Sequence, residues 1–269
     1  MGHYYNLDGD ACHTQATKKG AKNKTRPTTV SDARKLKLLP SVTTVMEDIT
    51  KGQFADWGKR NVLRIAAGAP LIGCENTQEW IGKILEIDNK EREDTFKFGT
   101  AIHHEIEVAL NYGEWDEALN GYVCPALDAV WAMDLKDLVT ESVTVNPEIG
   151  YAGCVDLCGW MKDDHGMVEI PTVPVVVDFK TKKTKPGVAI DVSETYPWQL
   201  AAYHVSKFGK GQRELHPLAK AALVFISSTE PGRVEIKWFD RAELEHAWEC
   251  FKAAHKLWCL RNNYVLTNR

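Results

Sequence analysis

Asp178 and Lys180 stand two residues apart in PVVVDFKT, an apolar run of strand character. Strand alternation turns both side chains to one face, with Cα atoms about 6.6 Å apart, and turns Phe179 the other way. The PVVV before them is the pattern of a central strand buried on both faces, so the charged pair lies at that strand's C-terminal end. An acid and a lysine buried there need each other, a metal or a ligand, because either charge alone is costly to bury. Asp156 lies on the preceding strand between Val155 and Leu157, and Gly150 and Gly153 let another chain come close. Two carboxylates on adjacent strands, converging with a lysine, make a hard-cation site suited to Mg²⁺. The alternative is a structural salt bridge.

Two further pairs have helical spacing. In FKFGTAIHHEIE, His103 and Glu107 are i and i+4 on one face, and Gly99 lets that helix approach a strand. In PWQLAAY, Gln199 and Tyr203 are again i and i+4, an amide and a phenol aimed the same way from the helix after the Asp/Lys strand. Alone, each pair is a weak signal, and a lone helical histidine is more often a surface or core residue than a ligand.

The elements that must position these groups follow from periodicity. LLPSVTTVM opens a helix with Ser41 as its N-cap. QFADWGKRNVLRIAAG places Phe54, Trp57, Val62, Ile65 and Ala66 on one helical face and is ended by Gly68 and Pro70. TQEWIGKILEI forms a second helix, a third runs from about Glu91 to Leu110, and residues 125 to 138 add another. At about Leu138 the period changes from helical to alternating. VTESVTVNP, GYAGCVDLCGWM and VEIPTVPVVVDFKT are strands, joined by turns at Asn146-Pro147 and Asp163 to Gly166. SETYPWQLAAYHVSKF returns to helix, KAALVFISS and RVEIKWF are strands, and DRAELEHAWECFKAAHKLWCLRNN is an amphipathic helix. The order implies an α/β fold with a central mixed sheet flanked by helices.

With 269 residues, 44% hydrophobic and 26% charged, the composition is that of a globular chain and excludes collagen-like, coiled-coil and wholly disordered classes. No apolar run reaches membrane-span length, and MGHYYNLDGD lacks the order of a signal peptide, so a soluble intracellular protein is expected. The 7 cysteines follow no framework spacing and are expected to be reduced. Net charge is −4, yet residues 13 to 37 set eight lysines and arginines against Asp32 alone, leaving the remainder acidic. Residues 1 to 38 are therefore expected to be a basic, flexible arm that binds a polyanion, with Tyr4 and Tyr5 stacking on bases, or else an ordinary solvated tail.

Taken together and in order, GTAIH with Glu107, GYAGCVDL, VVVDFKT and QLAAY resemble the RecB-like branch of the PD-(D/E)XK nuclease superfamily. PSVTTV ahead of them is similar to the PSVTT segment of many phage and mitochondrial-type members. The resemblance spans roughly residues 39 to 205, and the joint pattern is more specific than any part. It implies a restriction-endonuclease-like core with an N-terminal helical region. The nuclease domain would cover 39–269, as a helical part at 39–138, a sheet core at 139–240 and a C-terminal helix at 241–263. The activity implied is metal-dependent DNA exonuclease, serving recombination, repair or replication processing.

The same resemblance makes Asp156 and Asp178 metal-binding carboxylates and the main-chain carbonyl of Phe179 a further ligand, with His103 joining the metal shell. Lys180 would orient or activate the attacking water, and Gln199 and Tyr203 match a QxxxY motif near the DNA. Glu107 either orients His103 or caps a network, and Glu141 is either a site residue or a strand-edge charge. Many members carry Glu where Asp178 stands, and Asp is an accepted variant. Lys182, Lys183 and Lys185 beside the site would bind DNA. The cofactor implied is one or two Mg²⁺ or Mn²⁺ ions with no iron–sulfur cluster. The partners are DNA and a single-strand annealing or binding protein, not a membrane, and the location is the cytoplasm, a host's if the chain is phage-encoded.

Other chemistries fit less well. HHEIEVAL has no histidine four residues after His104, which excludes the zinc-protease motif. A zinc site at Cys154, Asp156 and Cys158 fails because strand positions i and i+4 stand about 13 Å apart. Cys250 and Cys259 belong to no compact set of four thiolates. Two classes remain, the nuclease and a catalytically silent DNA-binding module on the same fold. Retained Asp156, Asp178 and Lys180 favour the nuclease. Within it, an endonuclease is the alternative to end-directed digestion, which the lack of a sequence-recognition domain favours.

Overall fold

The computed structural model describes residues 2–17, 24–69, 76–162 and 172–264, with backbone alone over 48–57. The turn at Asp163 to Gly166, the side chains of Phe54 and Trp57, and Pro70 lie outside the described residues.

A five-stranded mixed sheet forms the centre. Its strands are β5 (Lys136–Asn146), β6 (Tyr151–Met161), β7 (Val173–Lys182), β8 (Lys220–Ser227) and β9 (Val234–Phe239), in spatial order β5-β6-β7-β8-β9. All neighbours are antiparallel except β7 and β8, which run parallel with Val175 opposite Lys220 and Lys182 opposite Ser227. A parallel pair needs a crossover, here made by α5 (Tyr196–Phe208). The seven residues Val173–Phe179 of β7 are all buried, as the PVVV run requires of the middle strand.

Helices cover both faces. On one, Leu200, Ala201 and Val205 of α5 meet Leu244, Trp248 and Phe251 of α6 (Arg241–Arg261) over Val176, Leu223 and Phe225 of the sheet. On the other, Ile102 and Ile106 of α3 (Thr77–Tyr112) and Val123, Leu127 and Val130 of α4 (Asn120–Trp131) pack on Val175, Val177, Phe179 and Val224. The helix α2 (Val42–Gly68) is capped by Ser41, whose hydroxyl accepts from Thr44 N at 3.0 Å, as the sequence indicates. Its Val42, Val45 and Met46 join the α5–α6 core.

Two elements differ from the sequence reading. The helices expected at TQEWIGKILEI and from Glu91 are one continuous 36-residue helix, α3. The polar run at Asp88-Asn89-Lys90 looks like a break but is a joint with α2. There the buried Asp88 pairs with Arg92 at 2.8 Å and accepts from Asn61 at 2.6 Å, while Arg64 reaches Glu91 at 2.5 Å. The helix expected over 125 to 138 is α4, ending at Trp131, so the sheet begins at Lys136.

The N-terminal arm is also corrected. Tyr4 and Tyr5 form β1 (Tyr4–Tyr5), paired antiparallel with β4 (Leu39–Pro40), and are 1% and 7% exposed, so neither can stack on a base. A hairpin of β2 (Thr14–Ala16) and β3 (Thr25–Pro27) precedes α1 (Val30–Leu36). That short helix is held by a capping box between Thr29 and Asp32. The apolar residues here are few, but Tyr4, Ala33 and Leu38 all enter the α5–α6 core, and Tyr264 donates its hydroxyl to the Leu38 carbonyl. A high lysine count outside that stripe gives a segment the look of a tail without making it one. Lys18, Lys19 and Lys22 of the arm lie outside the described residues.

Candidate active site

The site arises where the two middle strands part. β6 and β7 pair from Met161↔Val173 to Leu157↔Val177. Beyond that, β6 stays with β5 as far as Asn146↔Tyr151, and β7 stays with β8 as far as Lys182↔Ser227. The first residue past the fork on each strand is Asp156 and Asp178. At this point β6 also turns over, since Val155 belongs to the α5–α6 core and Leu157 to the α3–α4 core. The Phe179 N–H, left without a cross-strand carbonyl, donates instead to Asp156 Oδ2 at 2.9 Å.

Asp178 is 1% exposed and is held from two sides. Lys180 forms an ion pair with its Oδ2, and Gln199 Nε2 donates to its Oδ1 at 2.9 Å. The same amide donates to the Tyr203 hydroxyl at 3.2 Å, so Gln199 and Tyr203 work as one unit beneath Asp178. Tyr203 is seated on Gly153. A Cβ there would stand 2.5 Å from its Cε1, which explains the glycine. Tyr196, one turn before Gln199, lies with its ring 5.4 Å from Lys180 Nζ. Sequence reasoning missed Tyr196, although the spacing of 196, 199 and 203 puts all three on one helical face.

From the opposite layer, α3 crosses the fork. His103 Nδ1 is 3.8 Å from Asp156 Oδ2, and its ring meets that of Phe179 with centroids 6.0 Å apart. Gly99 of the same helix faces Thr181 at ordinary packing distance. Glu107 does not orient His103. It pairs with His104 Nδ1 at 3.6 Å, because i+3 rather than i+4 brings it to the neighbouring histidine. Glu141 lies between the pairs Thr140↔Leu157 and Ser142↔Val155, hence opposite Asp156, and accepts from the Cys154 thiol at 3.2 Å.

The electrostatics follow from burial. Desolvation raises Asp156 and Asp178 each to about 6, against the opposing pull of Lys180. Burial works against the Lys180 ammonium, but Asp178 and Asp156 outweigh it and hold its pKa above the usual lysine value. Burial lowers His103, which favours the neutral imidazole, the form that can ligate a metal. The burial penalty on both carboxylates is the signature of negative charge that a cation would relieve. Their oxygens and the Phe179 carbonyl are a donor set suited to a hard divalent ion. Among the described residues no three His, Cys, Asp or Glu side chains gather into a metal-holding group.

Of the three lysines expected to bind DNA, Lys182 is committed elsewhere. Its ammonium donates to the Asp191 carbonyl and lies over the rings of Tyr196 and Phe225 at 5.2 and 5.4 Å. Lys183 and Lys185 are exposed. Among the described residues no helix is long and apolar enough to cross a membrane.

No family model matches the chain, and no curated protein does. Among solved structures the chain is similar to the crystal structure of SSO0001, at 16% identity over 56% of this chain and 71% of that one, with a TM-score of 0.25. A likeness of that size carries no argument about function.

Proposed function

We propose that this chain is a metal-dependent DNA exonuclease of the PD-(D/E)XK superfamily, RecB-like branch, with a restriction-endonuclease-like core. The observation that carries the reading is the strand fork, which brings Asp156, Asp178 and Lys180 together with Gln199 and Tyr203 beneath them and His103 above. A salt bridge serving structure alone needs one acid for one lysine. Here the second carboxylate, half-buried, has no lysine or arginine paired with it among the described residues.

Asp156, Asp178 and the Phe179 carbonyl are the groups that would hold Mg²⁺ or Mn²⁺, with His103 at the edge of the set. A bound divalent ion supplies Lewis-acid stabilisation of the phosphate charge and lowers the pKa of water. The chain's own groups do the positioning. Lys180, fixed by Asp178 and by the Tyr196 ring, holds the attacking water and adds positive field at the nonbridging oxygens. Gln199 fixes the rotamer of Asp178, and Tyr203 fixes Gln199. Lys183 and Lys185 meet the phosphate backbone beyond the scissile bond.

The test is digestion of end-labelled linear DNA and covalently closed circles, single- and double-stranded, with Mg²⁺, Mn²⁺ or chelator. The expected result is loss of linear DNA from its ends, intact circles, and no cleavage in chelator. Nicked circles would make the chain an endonuclease. Binding without cleavage in either metal would make it a silent DNA-binding module.

A further inference from the structure

The segment leaving the site strand is strapped down by a residue far away in sequence, Arg233, just before β9. All five of its N–H donors are used. Nε donates to Glu235 Oε1 at 2.9 Å, Nη1 to the Lys185 carbonyl at 2.9 Å and Glu230 Oε2 at 2.7 Å, and Nη2 to the Val188 carbonyl and Glu235 Oε1, each at 2.5 Å. Two of those acceptors are main-chain carbonyls of residues 183–188, which have no strand or helix of their own. Thr184 closes the other side. Its hydroxyl donates to Glu230, its N–H donates to Thr229 Oγ1 at 2.9 Å, and its carbonyl accepts from that hydroxyl at 2.9 Å. The Ser228 N–H, in turn, donates to the Lys182 carbonyl at 2.8 Å.

An arginine with every donor occupied is not available to a phosphate, so this guanidinium has another task. Its fork spans two carbonyls three residues apart, which a single ammonium cannot do. Lys185 carries the first of those carbonyls and Lys183 lies two residues before it, the two exposed lysines that follow the Asp178–Lys180 strand. Lys183 is within electrostatic reach of Glu91 on α3, an acid Arg64 already holds. We propose that Arg233 is a positioning residue for substrate. By clamping 183–188 it holds Lys183 and Lys185 in fixed places for the backbone phosphates next to the scissile bond, so that these cations bind without a further ordering cost. The inference rests on the nuclease reading and adds to it a residue that touches neither DNA nor Asp156 and Asp178.

The test is steady-state cleavage of end-labelled linear DNA in Mg²⁺ and equilibrium binding of the same DNA in chelator across a salt series. The proteins are wild type, Arg233→Ala, Arg233→Lys, Lys183→Ala/Lys185→Ala and the combined variant. The expected result for Arg233→Ala is a KM about five- to tenfold higher with turnover at saturating DNA within about twofold, and a salt slope shallower by about one to two contacts. Arg233→Lys should not rescue it. The combined variant should be no worse than the lysine pair alone, because both changes remove the same contacts. An unchanged KM and salt slope in Arg233→Ala would overturn the clamp, as would a loss confined to turnover. If Arg233→Ala does not fold, Arg233→Gln, which keeps two donors, is held to the same criterion. Wild-type protein that neither binds nor cuts DNA would instead remove the nuclease reading, whereas normal wild-type cleavage with an indifferent Arg233 removes the clamp alone.

Discussion

Asp156 carries a burial cost that Lys180 and the Phe179 N–H only partly offset, and this makes the acid testable apart from catalysis. Above about pH 6 its carboxylate is ionised in both folded and unfolded chains, and only the folded one bears the desolvation. Below that, the folded state takes up a proton that an unfolded aspartate, ionising near 4, does not, so the penalty shrinks steadily and is gone only below about pH 4. Asp156→Asn, whose side-chain oxygen can still accept from Phe179 N–H, should therefore stabilise the metal-free protein by about 2 kcal/mol at pH 8 and by about half as much at pH 5. Urea melts in chelator at the two pH values measure this, and equal shifts would refute it. For the same reason Mg²⁺ affinity should fall as pH drops through about 6, because protons and metal compete for the same oxygens; isothermal titration at pH 5.5 and 7.5 shows whether it does. Lys180→Ala and Asp178→Asn should each lower turnover about 100-fold or more while DNA binding in chelator stays near wild type. Asp178, Lys180, Gln199 and Tyr203 were legible as a group because strand period and helix period each fix side-chain direction locally. The His103 alternative for Glu107 failed because the choice between His103 and His104 depends on rotamers, and Arg233 was invisible because two of its acceptors are backbone carbonyls more than forty residues away.

At the scale of elements, the site depends on three pieces meeting: the forked strands, α5 below and α3 above. His103 tests the third. As a ligand, its replacement in His103→Ala should weaken metal binding, with part of the lost activity recovered by Mn²⁺. As a packing residue against Phe179, it should lower the melting temperature and leave metal dependence unchanged. A metal titration beside a thermal melt separates the two. Gly153 tests the second. A Cβ in Gly153→Ala collides with the Tyr203 ring, so stability should fall by about 1–3 kcal/mol and turnover should drop with it, since Gln199 loses its partner. A variant with wild-type turnover and stability would show the Tyr203 seat to be soft. Every strand of the sheet and the cap at Ser41 were legible, because apolar alternation and a serine before a helix act over a few residues. The continuity of α3 was not. Asp88 reads as a helix breaker alone and as a buried ion-pair member only once Asn61 of α2 is beside it.

Across the whole molecule, the N-terminal segment belongs to the fold. A chain starting near Leu38 uncovers the α5–α6 core where Tyr4 and Ala33 sit, so it should unfold at markedly lower denaturant than the full chain. Tyr4→Ala alone should cost about 3–5 kcal/mol. Urea melts of both decide, and a truncated chain of full stability would return the segment to the status of a tail. Charge density misled here because it reports what surrounds a buried stripe, not the stripe itself. The tie between Tyr264 and the Leu38 carbonyl bridges 226 positions, and Tyr264 also lays its ring against Trp258 with centroids 5.0 Å apart. A ribosome makes Leu38 long before Tyr264. During that interval the five strands can assemble while the Leu38 carbonyl, just ahead of β4, waits for its Tyr264 partner, so a nascent chain stalled before residue 264 should be cut by proteases near Leu38 more readily than the full chain.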